Sequence, residues 1–241
     1  MQVHLYDSSA QVGQAAAILI GAQLIGKPGS VLGLATGSTP IPTYRELIRM
    51  HRAGAVDFSS AVSFNLDEYC RLPEQHPCSY HYFMRNEFFN HVNFAPSNTH
   101  MPNGNAADLL AECARYDQAI AKAGGIDLQL LGIGRNGHIG FNEPSDQFVY
   151  GCHVVKLTPS TIQANRRFFD TEADVPREAI SLGIGSIISA KRIVLLATGY
   201  DKAQAVCRAI REDIDPATQA SILRTHPDVI FLLDRAAASK L

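Results

Sequence analysis

The chain has 241 residues, 46% of them hydrophobic and 18% charged, with a formal net charge of −2 and no cluster of basic residues, so nucleic acid finds no electrostatic footprint on it. A chain of this size buries on the order of 70–75% of its unfolded surface and needs no disulfide or metal staple. Its five cysteines (Cys70, Cys78, Cys113, Cys152, Cys207) are odd in number and lack a C-x-x-C pair, which argues for reduced thiols in a cytoplasmic protein and against a zinc knuckle.

The start, "MQVHLYDSSA", has neither the charged nor the apolar region of a signal peptide. "QVHLY" reads as a strand, after which Asp7 or Ser8 caps a helix ending near Gly26. The apolar stretch around Ala15 to Ile25 is broken by Gly21 and Gln23 and reads as too short to cross a bilayer. Val31 to Ala35 is a second strand, followed by a Gly-Ser-Thr-Pro turn and a helix through "TYRELIRMHRAG". Ala61 to Leu66 is a third strand, and Ser79 opens an aromatic-rich helix to about Val92. "DLLAECARYDQAIAKAGG" is an amphipathic helix ending at glycines, and "IDLQLLGIG" is the strand after it. Then come a strand in "CHVVKLT", a helix through "IQANRRFF", the strand "KRIVLLATG", the helix "YDKAQAVCRAIRE" and the strand "DVIFLLD". Strands and helices alternating at this rhythm predict an α/β chain: one open, mostly parallel, Rossmann-like sheet with helices on both faces, residues 1–241 forming a single domain.

Three strand ends carry chemistry. Gly132-x-Gly134-x-x-Gly137 has the spacing of a dinucleotide fingerprint, which requires a helix to start at its glycines and an acidic residue roughly 20 positions on. Here "HIGFNEP" and "GCHVV" occupy those places, so NAD is set aside. The segment reads instead as a ligand-binding loop presenting Asn136, His138, Asn142 and Glu143 at a strand's carboxyl end. "LATGSTP" offers Thr36, Gly37, Ser38 and Thr39 before a helix, a setting for an anion or for an ordinary N-cap turn. Without the Gly-Lys-[Ser/Thr] of a P-loop, a small phosphate ester suits it better than ATP. "LLATGYDKAQ" repeats four of those residues and puts Lys202 where a cation opposes the helix dipole unless an anion is near. "SFNLDEY" ends a strand with Asp67 and Glu68, a carboxylate pair that also arises in plain helix caps.

Together "LATGSTP", "FNLDEY", "GIGRNGHIGFNEP", "ANRRFF" and "HPDVIFLLD" resemble the glucosamine-6-phosphate deaminases of the glucosamine/galactosamine-6-phosphate isomerase family, in order and over nearly the whole chain. The related 6-phosphogluconolactonases typically have Ser-Leu-Phe-Pro in place of Phe-Asn-Glu-Pro and Asp-Glu-Arg in place of Asp-Glu-Tyr, so Glu143 and Tyr69 favour the deaminase. The resemblance implies amino-sugar catabolism: a small sugar phosphate as partner, fructose 6-phosphate and ammonia as products, and no cofactor, metal or membrane. It assigns ring opening to His138, with Glu143 and Asn136 orienting and polarising it, and the carbon-2 proton to Asp67. Phosphate falls to Ser38 with its neighbours Thr36, Gly37 and Thr39, and to Arg167 and Lys202, since an arginine fork and a lysine point charge suit phosphate oxygens. A non-catalytic sugar-phosphate sensor on the same fold would have been suggested by loss of Asp67 or Glu143, and both are present.

The chain also departs from the family's pattern. Asn136 stands where many members have aspartate, so a relay through a charged residue is not expected; an amide can orient the histidine but cannot take up its proton. The regulated hexameric members carry basic residues after the Glu-Pro turn and a longer C-terminal segment. Here "SDQFVYGCHVV" precedes Lys156 and the sequence stops at Leu241, which implies hyperbolic kinetics and a monomer or small oligomer. The last residues, Ser239-Lys240-Leu241, spell a peroxisomal address that is read as coincidence.

Overall fold

The computed structural model describes residues 1–166, 169, 171 and 174–241. In chain order the strands are β1 (Gln2–Tyr6), β2 (Val31–Leu34), β3 (Val62–Asn65), β4 (Asp67–Tyr69), β5 (Thr99–His100), β6 (Leu128–Gly132), β7 (His153–Lys156), β8 (Glu178–Ser181), β9 (Arg192–Ala197) and β10 (Val229–Asp234). The α-helices are α1 (Ser9–Gly26), α2 (Ile41–Arg52), α3 (Tyr80–Glu87), α4 (Leu109–Lys122), α5 (Pro159–Asn165), α6 (Ile184–Ile188) and α7 (Ala203–Arg211).

Seven strands form the main sheet in the order β1-β10-β9-β6-β2-β3-β5, each pairing parallel. The central strands are apolar because both their faces are covered. On one face α1, α2 and α3 bring Val12, Ile20, Tyr44, Leu47 and Met84 against Leu32, Leu34, Leu128 and Leu130. On the other, α4, α6 and α7 bring Tyr116, Ile120, Ile187 and Val206 against Phe64, Leu131, Leu195 and Phe231. The expected α/β architecture is therefore present, with helices on both faces.

It is not the only sheet. Where the sequence gives "CHVVKLT" as one more strand of the series, β7 pairs antiparallel with β8, and β8 with β4, in a separate three-stranded sheet. Only half-buried residues and one exposed lysine make up β7, a pattern suited to an antiparallel strand with one wet face. Ser8, not Asp7, caps α1 by accepting from the Gln11 amide. α1 itself runs 18 residues, long and apolar enough to cross a bilayer by length and composition, yet its Val12, Ala16, Ala17, Ile20 and Leu24 stripe lies in the core. α3 stops at Glu87, short of Val92, because Phe88 leaves helical geometry (φ −144°) to stack on Tyr44 at 4.7 Å.

The connectivity decides where a ligand can sit. From β2 the chain runs outward through β3 to β5, then returns to β6 on the other side of β2 and continues to β9 and β10. Connections therefore leave the carboxyl ends of β2 and β6 in opposite directions, and such switch points open a crevice in α/β sheets.

Candidate active site

The β6 end of that crevice is the glycine-rich loop. No helix starts at Gly132, Gly134 or Gly137, and the next one, α5, begins at Pro159, so a nucleotide fingerprint is absent in structure as well as in pattern. Gly134 has a different use. A Cβ there would lie 2.4 Å from His138 Nε2, so the imidazole can lie over this backbone only because the residue has no side chain. Asn136 Nδ2 donates to Glu143 Oε2 at 2.8 Å, while Asn136 Oδ1 accepts from the His138 amide at 3.2 Å. His138 Nδ1 lies 3.4 Å from the same Glu143 oxygen, without hydrogen-bond alignment, so the contact is ionic once the ring is protonated. Burial pushes the Glu143 pKa up, but His138, Thr161 and Asn136 together hold it below the usual carboxylate range. Three of the sequence-derived residues thus form one cluster. Asn142 does not join it: its amide donates to the Ile139 and Leu182 carbonyls and latches the loop shut.

Asp67 comes from another part of the chain. It begins β4, separated from the end of β3 by Leu66 alone, and a Cβ on Gly140 would lie 3.5 Å from its Oδ2. The carboxyl therefore abuts the same loop. It is 6% exposed and has no side-chain hydrogen bond among the described residues; burial, then the neighbouring Glu68 charge, pushes its pKa up to about 8. The two acids of the pair separate completely, as successive residues of a strand must. Glu68 turns to α3, accepting from the Tyr80 and His81 amides at 3.0 and 2.9 Å and meeting His81 Nδ1 at 2.6 Å. One carboxylate is a helix cap and the other faces the crevice. Tyr69 is buried in an aromatic wall with Tyr80 and Phe141, ring centroids 4.9 and 5.5 Å away.

Thr36 to Thr39 follow β2 across the crevice. Pro40 is the residue at the α2 N-cap and no side chain caps that helix; Thr36, Ser38 and Thr39 make no side-chain hydrogen bond among the described residues. The ordinary N-cap reading of this turn is thereby overturned. Gly37 has φ +96° and Gly199, in the second Leu-Ala-Thr-Gly, φ +92°, so each stretch turns through a positive φ that favours glycine. That second stretch ends β9 and sets Lys202 at the start of α7, on the opposite flank of the β6 loop. Arg135 in the loop pairs with Asp201 at 2.8 Å, tying the two segments together. Arg167 lies outside the described residues.

A family model described as glucosamine-6-phosphate isomerases/6-phosphogluconolactonase matches residues 9–231. The chain belongs to this family. Within it, the chain is 51% identical to a glucosamine-6-phosphate deaminase of Halothermothrix orenii over 241 residues, all of both chains. It is 55% identical to one of Clostridioides difficile over 226 residues, 94% of this chain and 91% of that one. The solved structure of a monomeric glucosamine-6-phosphate deaminase superposes with a TM-score of 0.98 at 46% identity, covering 100% of each chain. A 6-phosphogluconolactonase from Leishmania guyanensis shares the fold at 21% identity and a TM-score of 0.77, covering 100% of this chain and 98% of that one.

For this member of the family, three supports of the site escape sequence reasoning. Thr161 on α5 donates to Glu143 Oε1. Ser181, at the end of β8, accepts from the Phe141 amide at 3.0 Å, and Arg208 on α7 donates to the Asn136 carbonyl at 3.2 Å. All three reach the loop from at least 18 residues away, and nothing in the local pattern marks them. The C-terminal Ser239-Lys240-Leu241 is bonded down: Ser239 Oγ donates to Ala236 O, Lys240 Nζ to Gln204, and Leu241 packs on the core.

Proposed function

We propose that the chain is a glucosamine-6-phosphate deaminase acting as a single domain, converting glucosamine 6-phosphate and water to fructose 6-phosphate and ammonia in amino-sugar catabolism. The observation that carries this reading is the half-buried Asn136–His138 pair on the buried Glu143, set against the Asp67 carboxyl at the sheet's switch point. Ring opening needs one group to take the anomeric hydroxyl proton and give a proton to the ring oxygen. His138 is the residue suited to both halves, since an imidazole can accept a proton at a ring nitrogen and give one back. Glu143 remains a carboxylate beside it and stabilises the imidazolium, while Asn136, an amide, keeps that carboxylate turned toward the ring without taking up a proton.

Asp67 then removes the proton from carbon 2 and returns it at carbon 1. The resulting imine at carbon 2 is hydrolysed by water, releasing ammonia and leaving the ketose. A carboxylate freed of water is a stronger base toward a C–H bond, and a pKa of about 8 brings it nearer to that task. The substrate's ammonium, attached to the same carbon, supplies the counter-charge that ionises it on binding. Thr36, Gly37, Ser38 and Thr39 hold the phosphate from the β2 side, with Lys202 and Arg167 as its cations. The protein works in the cytoplasm as a monomer or small oligomer with hyperbolic kinetics.

The deciding assay follows ammonia and fructose 6-phosphate from glucosamine 6-phosphate, beside hydrolysis of 6-phosphogluconolactone. Stoichiometric ammonia and fructose 6-phosphate are expected. Lactone hydrolysis without ammonia release would reverse the assignment.

A further inference from the structure

We propose that Thr161 is a positioning residue for this chemistry, its hydroxyl holding the Glu143 carboxylate in the orientation that faces Asn136 and His138; the inference rests on the deaminase reading above. Thr161 and Glu143 are 5% and 8% exposed, so water cannot substitute for a missing donor. Each carboxylate oxygen has one donor from a different element: Oε2 takes Asn136 Nδ2, and Oε1 takes Thr161 Oγ1. The direction of the second bond is fixed. An ionised carboxylate only accepts, and a hydroxyl has one proton to give. Thr158 Oγ1 donates to Thr161 Oγ1 at 3.2 Å, so the order runs from Thr158 through Thr161 to Glu143.

The helix that carries Thr161 is set up for this. Thr158 is its N-cap, accepting from the Thr161 amide, and Pro159 opens its first turn. Thr161 is thereby fixed at both its amide and its hydroxyl, and Glu143 is gripped by an element that is not part of its own loop. Among the described residues, His138 is the titratable group that faces Glu143, and α5 meets it with the uncharged Thr161. Without the Thr161 hydroxyl, Oε1 is a buried charge lacking a donor. The carboxyl then binds a proton more readily, or rotates and releases Asn136, and either event removes the negative partner of His138.

The test compares Thr161→Val with Thr161→Ser. The valine variant keeps the shape and loses the donor. It should lower kcat about 10-fold or more while KM changes less than about threefold, as expected for a charge-assisted bond that acts on the chemistry and not on substrate capture. The acid limb of its kcat/KM profile should move to higher pH, because losing a donor to the ionised form raises the pH at which Glu143 titrates. Serine should restore most of both. In the ligand-free protein, carboxyl ¹³C shifts assigned by Glu143→Gln should show the Glu143 midpoint raised by valine and not by serine. Valine with kcat within about twofold of wild type, or valine and serine equally impaired with the Glu143 midpoint unmoved, would overturn the proposal. Because the ¹³C titration needs no turnover, a wild-type protein releasing no ammonia would sink the deaminase reading while a raised midpoint still upheld the Thr161 contact.

Discussion

At Asp67 the proposed catalytic role and stability pull in opposite directions. In the unfolded chain its carboxyl titrates as an ordinary aspartate, whereas burial first, and Glu68 second, push its pKa up to about 8 in the native state. The native state therefore binds this proton more tightly than the unfolded state does. Stability from this group is greatest below the unfolded value, falls as pH rises toward about 8, and levels off above it. Each unit of separation is worth about 1.4 kcal/mol. Asp67→Asn should thus be more stable than wild type at pH 9 by on the order of a few kcal/mol, and nearly equal to it at pH 4. Urea denaturation at the two pH values measures this, and a difference that stays constant with pH would contradict it. Glu143 runs the other way, since its folded pKa is lowered: its ionised form stabilises the fold above the unfolded value, and that contribution is lost as pH falls through the folded one. At this scale the sequence was informative where partners are close along the chain. Asn136, His138 and Glu143 share eight residues of loop. Thr161, 18 residues from Glu143 and in no recurring motif, was not legible.

Among the elements, strands of four to six residues such as Val31–Leu34, Arg192–Ala197 and Val229–Asp234 could be read directly, since a buried parallel strand carries a continuous apolar run, broken here only by a charge at one end of the last two. The small sheet could not. β4 has three residues, separated from β3 by Leu66 alone, and β8 has four, too few for either strand to show a period. The 3₁₀ stretch Pro216–Thr225, whose Ala220 amide donates to Gly137 O, likewise has no helical period to betray it. The start of α7 was legible through a conflict, a lysine set against the dipole of the helix it precedes. That placement is unfavourable for the helix, and in the proposed reading it serves the substrate phosphate. Lys202→Ala should raise KM for glucosamine 6-phosphate about 10- to 150-fold with kcat little changed, without lowering thermal stability. Steady-state kinetics beside a melting curve separate the two roles: a normal KM with a lowered melting temperature would make Lys202 structural.

On the scale of the whole molecule, the site exists only because the topology assembles it. The loop after β6, the turn after β2 and the start of α7 after β9 leave the carboxyl ends of adjacent strands of the main sheet, and the carboxyl of β4, from the small sheet, abuts the first of them. Their convergence could be anticipated from the family resemblance and from the rule that ligands sit at switch points, but not from periodicity, which carries no long-range contact. In the proposed mechanism the same topology keeps the two proton transfers apart, with His138 on one chain segment and Asp67 on another. That division is the account's central claim. Its most direct measurement uses glucosamine 6-phosphate deuterated at carbon 2 and follows departure of the label from that carbon by NMR, to carbon 1 of the product or to solvent, in wild type, Asp67→Asn and His138→Gln. Wild type should move the label off carbon 2 as product forms. Asp67→Asn should still bind substrate yet lose the label at least about 10²-fold more slowly, because an amide cannot accept the proton. His138→Gln should recover label loss when the substrate population is enriched in the open-chain form, since only ring opening is impaired. Departure of the label from carbon 2 at the wild-type rate in Asp67→Asn would mean that another group is the base, and the account would be wrong at its centre.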